Sequence, residues 1–214
     1  MKNCINSIVF ILFLTSASMS FAQKSQGFHG GITIGACGTQ VDGDWYGGFD
    51  KGGIMAGFVV NYPLSKTTTF QAEIKYFQKG SRKNINYDKG DYNSYIMRLQ
   101  YIEMPFALAY HFTVLDKYNL SAELGLAPAY LISSYEERDG YEILYGVPFK
   151  KIELSGQYGV NYHVSEKFHM GFKYHYSMFP IRDFPDGTNP KPGRIVFNKG
   201  QYNNIVSFSL YYIV

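Results

Sequence analysis

The sequence predicts an all-β fold, an eight-stranded antiparallel up-and-down transmembrane β-barrel, on three observations. Segments of about ten residues alternate apolar and polar side chains with period two, which places one kind on each face of a strand. The connections between these segments alternate long and short, as in a barrel with extended loops on one rim and tight turns on the other. Aromatic residues make up 18% of the 214-residue chain and charged residues only 17%, with 20 tyrosines and 22 glycines, a balance suited to strands that meet hydrocarbon.

The chain opens with Lys2, an apolar run from Ile8 to Leu14 and small residues ending at Ser20-Phe21-Ala22. This is the layout of a signal peptide over residues 1–22, with a barrel domain over 23–214 beginning at Gln23. The apolar run is too short to span a bilayer, and Cys4 precedes it, which argues against a lipid-modified cysteine at the cleavage point. Removing the leader takes Lys2 from the formal charge, +3 − 1 = +2, too slight an excess for a nucleic-acid partner. It also leaves Cys37 alone, a thiol expected simply to pack.

The strands follow in order. Ile32, Ile34 and Ala36 alternate with Thr33, Gly35 and Cys37 in the first. Ile54, Ala56, Phe58, Val60 and Tyr62 share a face of the second, Gly53 to Tyr62. The third, Thr68 to Lys79, sets Phe70, Ala72, Ile74 and Tyr76 against Gln71, Glu73 and Lys75; helical spacing would scatter those charges around an axis. The fifth sets Leu120, Ala122, Leu124 and Leu126 against Ser121 and Glu123. The sixth sets Ile152, Leu154, Tyr158, Val160 and Tyr162 against Glu153, Gln157 and Asn161. The seventh sets Phe168, Met170, Phe172, Tyr174 and Tyr176 against His169, Lys173 and His175. The last, Asn203 to Val214, sets Val206, Phe208, Leu210 and Tyr212 against Ser207 and Ser209. Long connections fall at 39–52, 80–93, 133–148 and 179–201, and short turns at 63–67, 113–117 and 163–167.

The fourth segment, Ser94 to Phe112, is the difficult one. Tyr95, Met97 and Leu99 suggest one outward phase, whereas Met104, Phe106, Leu108 and Tyr110 set the opposite parity. A β-bulge near Tyr101 and Ile102 would reconcile them, turning Glu103 inward beside Arg98 or Lys75 and tolerating the donor missing at Pro105.

With apolar faces outward, the lumen receives Glu73, Lys75, Arg98, Gln100, Glu103, Glu123, Glu153, Gln157, His169, Lys173 and His175. An eight-stranded barrel is just wide enough for its own side chains, so Glu73, Lys75, Arg98, Glu103, Glu123, Glu153, Lys173 and His175 are expected to neutralise one another in a structural polar network that leaves no open pore. No cofactor, metal or catalytic group is expected.

Two other classes fit parts of the pattern. A lipid-modifying enzyme would use Ser207 or Ser209 with His169 or His175, but would need them on the lipid side. A soluble ligand-binding calyx would put the apolar face inside. Asp42-Gly-Asp44 and the Asp88, Asp91 pair lack full calcium-loop spacing. Trp45, Tyr46 and Phe49 suit either rim packing or a contact surface. Arg182, Lys191 and Arg194 in the proline-rich fourth loop could meet lipopolysaccharide phosphates or a partner.

Gln71-Ala-Glu73-Ile-Lys-Tyr76-Phe-Gln-Lys79-Gly80, followed after a loop by Tyr101-Ile-Glu103-Met-Pro105, resembles the paired strand motifs of PorT-type outer-membrane β-barrel proteins. The resemblance implies an exported barrel in the outer membrane of a Gram-negative bacterium, placed there by the barrel-assembly machinery and bathed in outer-membrane lipids and lipopolysaccharide, with a possible envelope protein partner. The terminal Tyr211-Tyr212-Ile213-Val214 departs from the terminal Phe frequent in such barrels but keeps aromatic and apolar residues in alternation.

Overall fold

The structure is a computed structural model and describes residues 27–115, 117–184 and 199–214. The strands are β1 (His29–Asp42), β2 (Lys51–Pro63), β3 (Thr68–Lys83), β4 (Tyr95–Glu103), β5 (Phe106–Val114), β6 (Tyr118–Arg138), β7 (Tyr141–Glu142), β8 (Ile152–His163), β9 (Phe168–Ser177), β10 (Arg182–Asp183) and β11 (Gly200–Ile213). Each pairs antiparallel with its neighbours, and β1 pairs with β11 from Gly31–Ile213 to Asp42–Tyr202, which closes the sheet. Closure pairs the backbone groups at both sheet edges, as crossing hydrocarbon requires. The wall has eight staves: β1, β2, β3, β4 with β5, β6, β8, β9 and β11. β7 and β10 are two-residue ladders in the long loops.

Long and short connections alternate as the sequence predicts. The turns after Pro63, Val114 and His163 lie at one rim with the start of β1 and the end of β11, and the loops after Asp42, Lys83, Arg138 and Ser177 lie at the other. The proposed leader, along with Lys191 and Arg194, falls outside the described residues. Several strands run further than their alternation suggests: β3 reaches Lys83 and β6 reaches Arg138, both into stretches expected to be loop.

The outer face is apolar. Phe58, Leu124 and Phe172 are 66, 69 and 60% exposed on the isolated chain, an arrangement stable only where hydrocarbon replaces water. On three adjacent staves this face turns polar at one level, where Gln78 pairs with Gln100 and Gln100 with Ser133.

The fourth stave corrects the expected bulge. Tyr95, Met97, Leu99, Tyr101, Glu103, Ala107 and Ala109 all point inward, so one parity runs through β4 and β5 without a slip. The chain breaks its ladder only at Met104-Pro105, where the Pro105 carbonyl still accepts from Glu73 N–H at 2.9 Å. The register shift lies opposite, in β6, where Gln100 faces Ser133 and Tyr101 faces Leu131, leaving Ile132 as the extra residue. Tyr95, Met97 and Leu99 are apolar because the upper lumen is.

The charged lumen as candidate functional site

The lumen divides into three layers, of which the upper two are filled and the third is open at the short-turn mouth. Nearest the loops, Val41, Tyr95, Met97, Leu99, Tyr101, Ala129, Leu131 and Ile181 form an apolar plug, with Tyr46, Ile143 and Phe149 packed against it. Ile181 and Phe149 come from the long loops, so the loops fold back into the barrel mouth. Above them Arg182 donates from Nη1 and Nη2 to the two carboxylate oxygens of Glu136 at 2.6 and 2.9 Å, and its guanidinium lies 4.2 Å from the Phe149 ring centroid. Tyr46 packs tilted against Tyr95 with ring centroids 4.7 Å apart, while Trp45 is 67% exposed.

The middle layer is a row of alternating charge across the barrel. It runs Glu123–Lys173 (2.6 Å), Lys173–Glu73 (3.3 Å), Glu73–Lys75 (3.2 Å), Lys75–Glu103 (3.7 Å), Glu103–Lys79 (2.6 Å) and Lys79–Glu153 (3.1 Å). All seven side chains are essentially excluded from solvent. Buried charge of this kind survives only when paired and hydrogen-bonded, and the ends of the row are satisfied accordingly. Glu123 accepts from Gln157 Nε2 and Asn161 Nδ2, each at 2.9 Å. Glu153 accepts from Ser177 Oγ at 2.7 Å and Asn203 Nδ2 at 3.1 Å. Glu73 in the middle accepts from Gln71 Nε2 at 2.7 Å and the Tyr211 hydroxyl at 3.3 Å.

Local sequence makes room for this layer. Lys75 pairs in the ladder with Gly57, and Lys173 with Gly159. A Cβ at Gly57 would lie 2.5 Å from Lys75 Cβ, and one at Gly159 would lie 2.8 Å from Lys173 Cγ. Beside the row, Phe77 packs with Cys37, Met55 and Ile205, and the Cys37 thiol donates to the Gln78 carbonyl at 3.5 Å.

The structure thus brings Glu73, Lys75, Glu103, Glu123, Glu153 and Lys173 into contact, with Gln157 alongside. His175 is buried next to them, its Nε2 3.0 Å from Ser207 Oγ and its ring edge-on to Phe77. Arg98 and Gln100 are not in the lumen. Both sit on the outer face, because β4 has the reverse of the parity assigned to it, and Arg98 lies over the Tyr135 ring at 5.5 Å. Glu103 points inward beside Lys75, as expected, and its second cation is Lys79 in place of Arg98. Sequence reasoning missed Lys79, although it continues the Glu73, Lys75 alternation; placing the strand end there hid it.

His169 belongs to the third layer, at the short-turn mouth. Its ring lies 4.2 Å from that of His163, which lies 5.0 Å from that of His111. His111 and His163 bond Thr69 and Ser121 at 2.8 and 2.9 Å. These residues line an open cavity of about 440 Å³ with Asn161, floored toward the lumen by Gln71 and Tyr211. Among the described residues no group of His, Cys, Asp and Glu has the geometry to hold a metal ion. In the loops, Asp44 accepts from Tyr46 N–H at 2.9 Å and Asp91 pairs with Lys83 at 2.7 Å. The Lys83 hydrogen bond holds the Asp91 carboxyl below the usual carboxylate range.

A closed eight-stave barrel with an apolar outer band and a charged, filled interior is the signature of an outer-membrane protein, and a family model decides the matter. The model of the outer membrane protein beta-barrel domain matches residues 21–183. The chain belongs to that family. Among solved structures it is similar to Ail, the attachment invasion locus protein of Yersinia pestis, with 12% identity over 89% of this chain and 100% of that one and a TM-score of 0.46. It is also similar to Neisserial surface protein A (13%, 88% and 97%, TM-score 0.42) and to the outer membrane protein OprG from Pseudomonas aeruginosa (10%, 88% and 98%, TM-score 0.37). No curated protein matches the chain.

Proposed function

We propose that this barrel is a non-conducting, non-catalytic module of the Gram-negative outer membrane that acts through its extracellular loops, in a structural or partner-binding role. The observation that carries the reading is the filling of the upper and middle lumen: among the described residues, an apolar plug, an ion row of four glutamates and three lysines, and loops folded into the mouth occupy the channel. Exposed side chains then concentrate at the loop tips, where Trp45, Tyr92, Tyr141, Leu144 and Tyr145 stand clear of the barrel. Loops on a rigid wall are the usual place for recognition. The domain layout that goes with this reading is a leader over residues 1–22 followed by the barrel. The assembly machinery, lipopolysaccharide and an envelope protein are its expected contacts.

The PorT-type relationship belongs to the same proposal. Its motif residues Glu73, Lys79 and Glu103 are all members of the ion row, which supports reading the motif as a device that builds the barrel. The enzyme alternative is weaker. His175 and Ser207 do meet, but both are about 1% exposed inside the wall, and among the described residues His175 Nδ1 has no hydrogen-bond partner, so this pair lacks lipid access and, among those residues, an orienting acid.

Reconstitution of the purified protein in planar bilayers tests the reading. No current steps are expected, and sustained open-channel steps would overturn it.

A further inference from the structure

The wall carries an outward-facing cationic groove that the filled-lumen reading does not use. Arg82 and Arg98 stand on the outer face of β3 and β4, one rung apart, where Gly80 pairs with Arg98 and Arg82 with Ile96. With Lys51, Gly52, Gln78 and Gln100 they line a groove of about 370 Å³. Two glycines lie in or beside it. A Cβ at Gly52 would meet nothing within 4 Å, and Gly80, at φ 135°, holds a backbone conformation that L side chains rarely adopt.

Two features define what it would take. First, the three cations have no carboxylate partner. Among the described residues no ion pair involves Lys51, Arg82 or Arg98, and the Lys51 ammonium makes only a 3.5 Å contact to the Gly52 carbonyl. The neighbouring Glu137 accepts the Tyr135 hydroxyl instead. Lys51 is the exception among the buried lysines of the described residues, since Lys75, Lys79 and Lys173 are all ion-paired, while Arg82 and Arg98 stand exposed beside it on the outer face. Second, its height is defined. Gln78 and Gln100, paired with one another, mark where the outer face leaves the hydrocarbon, and Arg98 and Arg82 follow by two and four residues on the loop side. At about 3.3 Å per residue along a tilted strand, they stand roughly 5–10 Å to the loop side of that level, where the outer-membrane reading puts headgroup phosphates.

We propose that this groove binds a phosphate of an outer-leaflet glycolipid, a lipid A phosphate monoester, with the Arg98 and Arg82 guanidiniums as donors, Lys51 as added positive charge, and Gln78 and Gln100 on the adjoining sugar. Guanidinium presents a planar fork that matches phosphate oxygens. Tyr135 holds Arg98 from the side by its ring face. The acyl chains of such a lipid would lie along Ile74, Ile102 and Met104 directly below. The inference rests on the outer-membrane placement and is independent of the loop-mediated role.

The test uses the full-length protein purified from outer membranes and returned to nanodiscs. The probes are bisphosphorylated lipid A, lipid A stripped of its phosphates, and inorganic phosphate, with bound lipid read by native mass spectrometry. Wild type should retain phosphorylated lipid A at least about tenfold better than the dephosphorylated form, since each interfacial cation contributes severalfold. Arg82→Gln with Arg98→Gln should abolish that preference while the heat-dependent gel shift of a folded barrel persists. Gly52→Phe, which fills the groove without touching a charge, should do the same, and provides a readout independent of whether the double variant folds. Lys150→Gln, in the third loop, should change nothing. Equal retention of the two lipids, or undiminished preference in Gly52→Phe, would overturn the site. Competition by inorganic phosphate alone at millimolar concentration would overturn the lipid assignment. Recovery of wild type in the soluble periplasm would overturn the membrane placement itself, which a folded barrel indifferent to phosphate would not.

Discussion

Lys79 shows how much a single side chain carries here. It bridges Glu103 at 2.6 Å and Glu153 at 3.1 Å, with the rings of Phe77 and Tyr101 about 5 Å from its ammonium. Lys79→Met would leave two buried carboxylates short of their cation, and a cost of about 3–5 kcal/mol is expected for a broken buried pair. Urea unfolding in detergent micelles should show it as a lower midpoint. Adding Glu103→Leu should recover part of the loss by removing one stranded charge, and a double variant no better than Lys79→Met would mean that the row is not the source of the cost. Glu73, Lys75, Glu123 and Lys173 were legible in the sequence because each sits between outward apolar residues. Arg98 was misread because β4 is apolar on its inner face, and alternation alone does not say which face is lipid. That distinction came only from Val41, Leu131 and Ile181, residues distant in sequence that meet Leu99 in the closed barrel.

At the scale of elements, β2 and β3 depend on a missing side chain. A Cβ at Gly57 would lie 2.1 Å from the Ile74 carbonyl oxygen and 2.5 Å from Lys75. Gly57→Val should therefore cost about 2–3 kcal/mol through strand displacement, visible as loss of the heat-dependent gel shift at lower temperature; an unchanged transition would show that the wall can relax there. In the second loop the Lys83–Asp91 tie has a pH signature. Because the Asp91 carboxyl is held below its ordinary range, the tie is present above the usual carboxylate pKa and lost as pH falls through the lowered value. Acidification below about pH 4 should speed proteolysis between Asn84 and Asn93, whereas an acid-insensitive cleavage rate would contradict it. The strand count was readable because every stave alternates. Strand lengths were not, since β3 and β6 continue past the membrane edge with polar residues on both faces, which looks like loop.

For the whole molecule, closure and filling act together. The apolar outer band, the closed ladder and the three-layered interior make the barrel a plugged support for four loop connections. Photo-crosslinking groups at Tyr145 and Trp45 are expected to capture a proteinaceous or polysaccharide neighbour, while the same group at Leu124 captures lipid only. Identical capture profiles at the three positions would count against loop-mediated contact.

The row of alternating charge has a further consequence before the barrel exists. Its cross-lumen bonds join residues 100 and 74 positions apart in sequence, Lys173 to Glu73 and Lys79 to Glu153. No single hairpin supplies both of these distant partners, so an incomplete sheet holds stranded charges that favour water over hydrocarbon. In an unclosed sheet those side chains hold alternate positions of β3, β6, β8 and β9 in water, which opposes the edge-to-edge association to which exposed strands are prone. Burying the row becomes favourable only when the last seam meets the first and brings each charge to its partner.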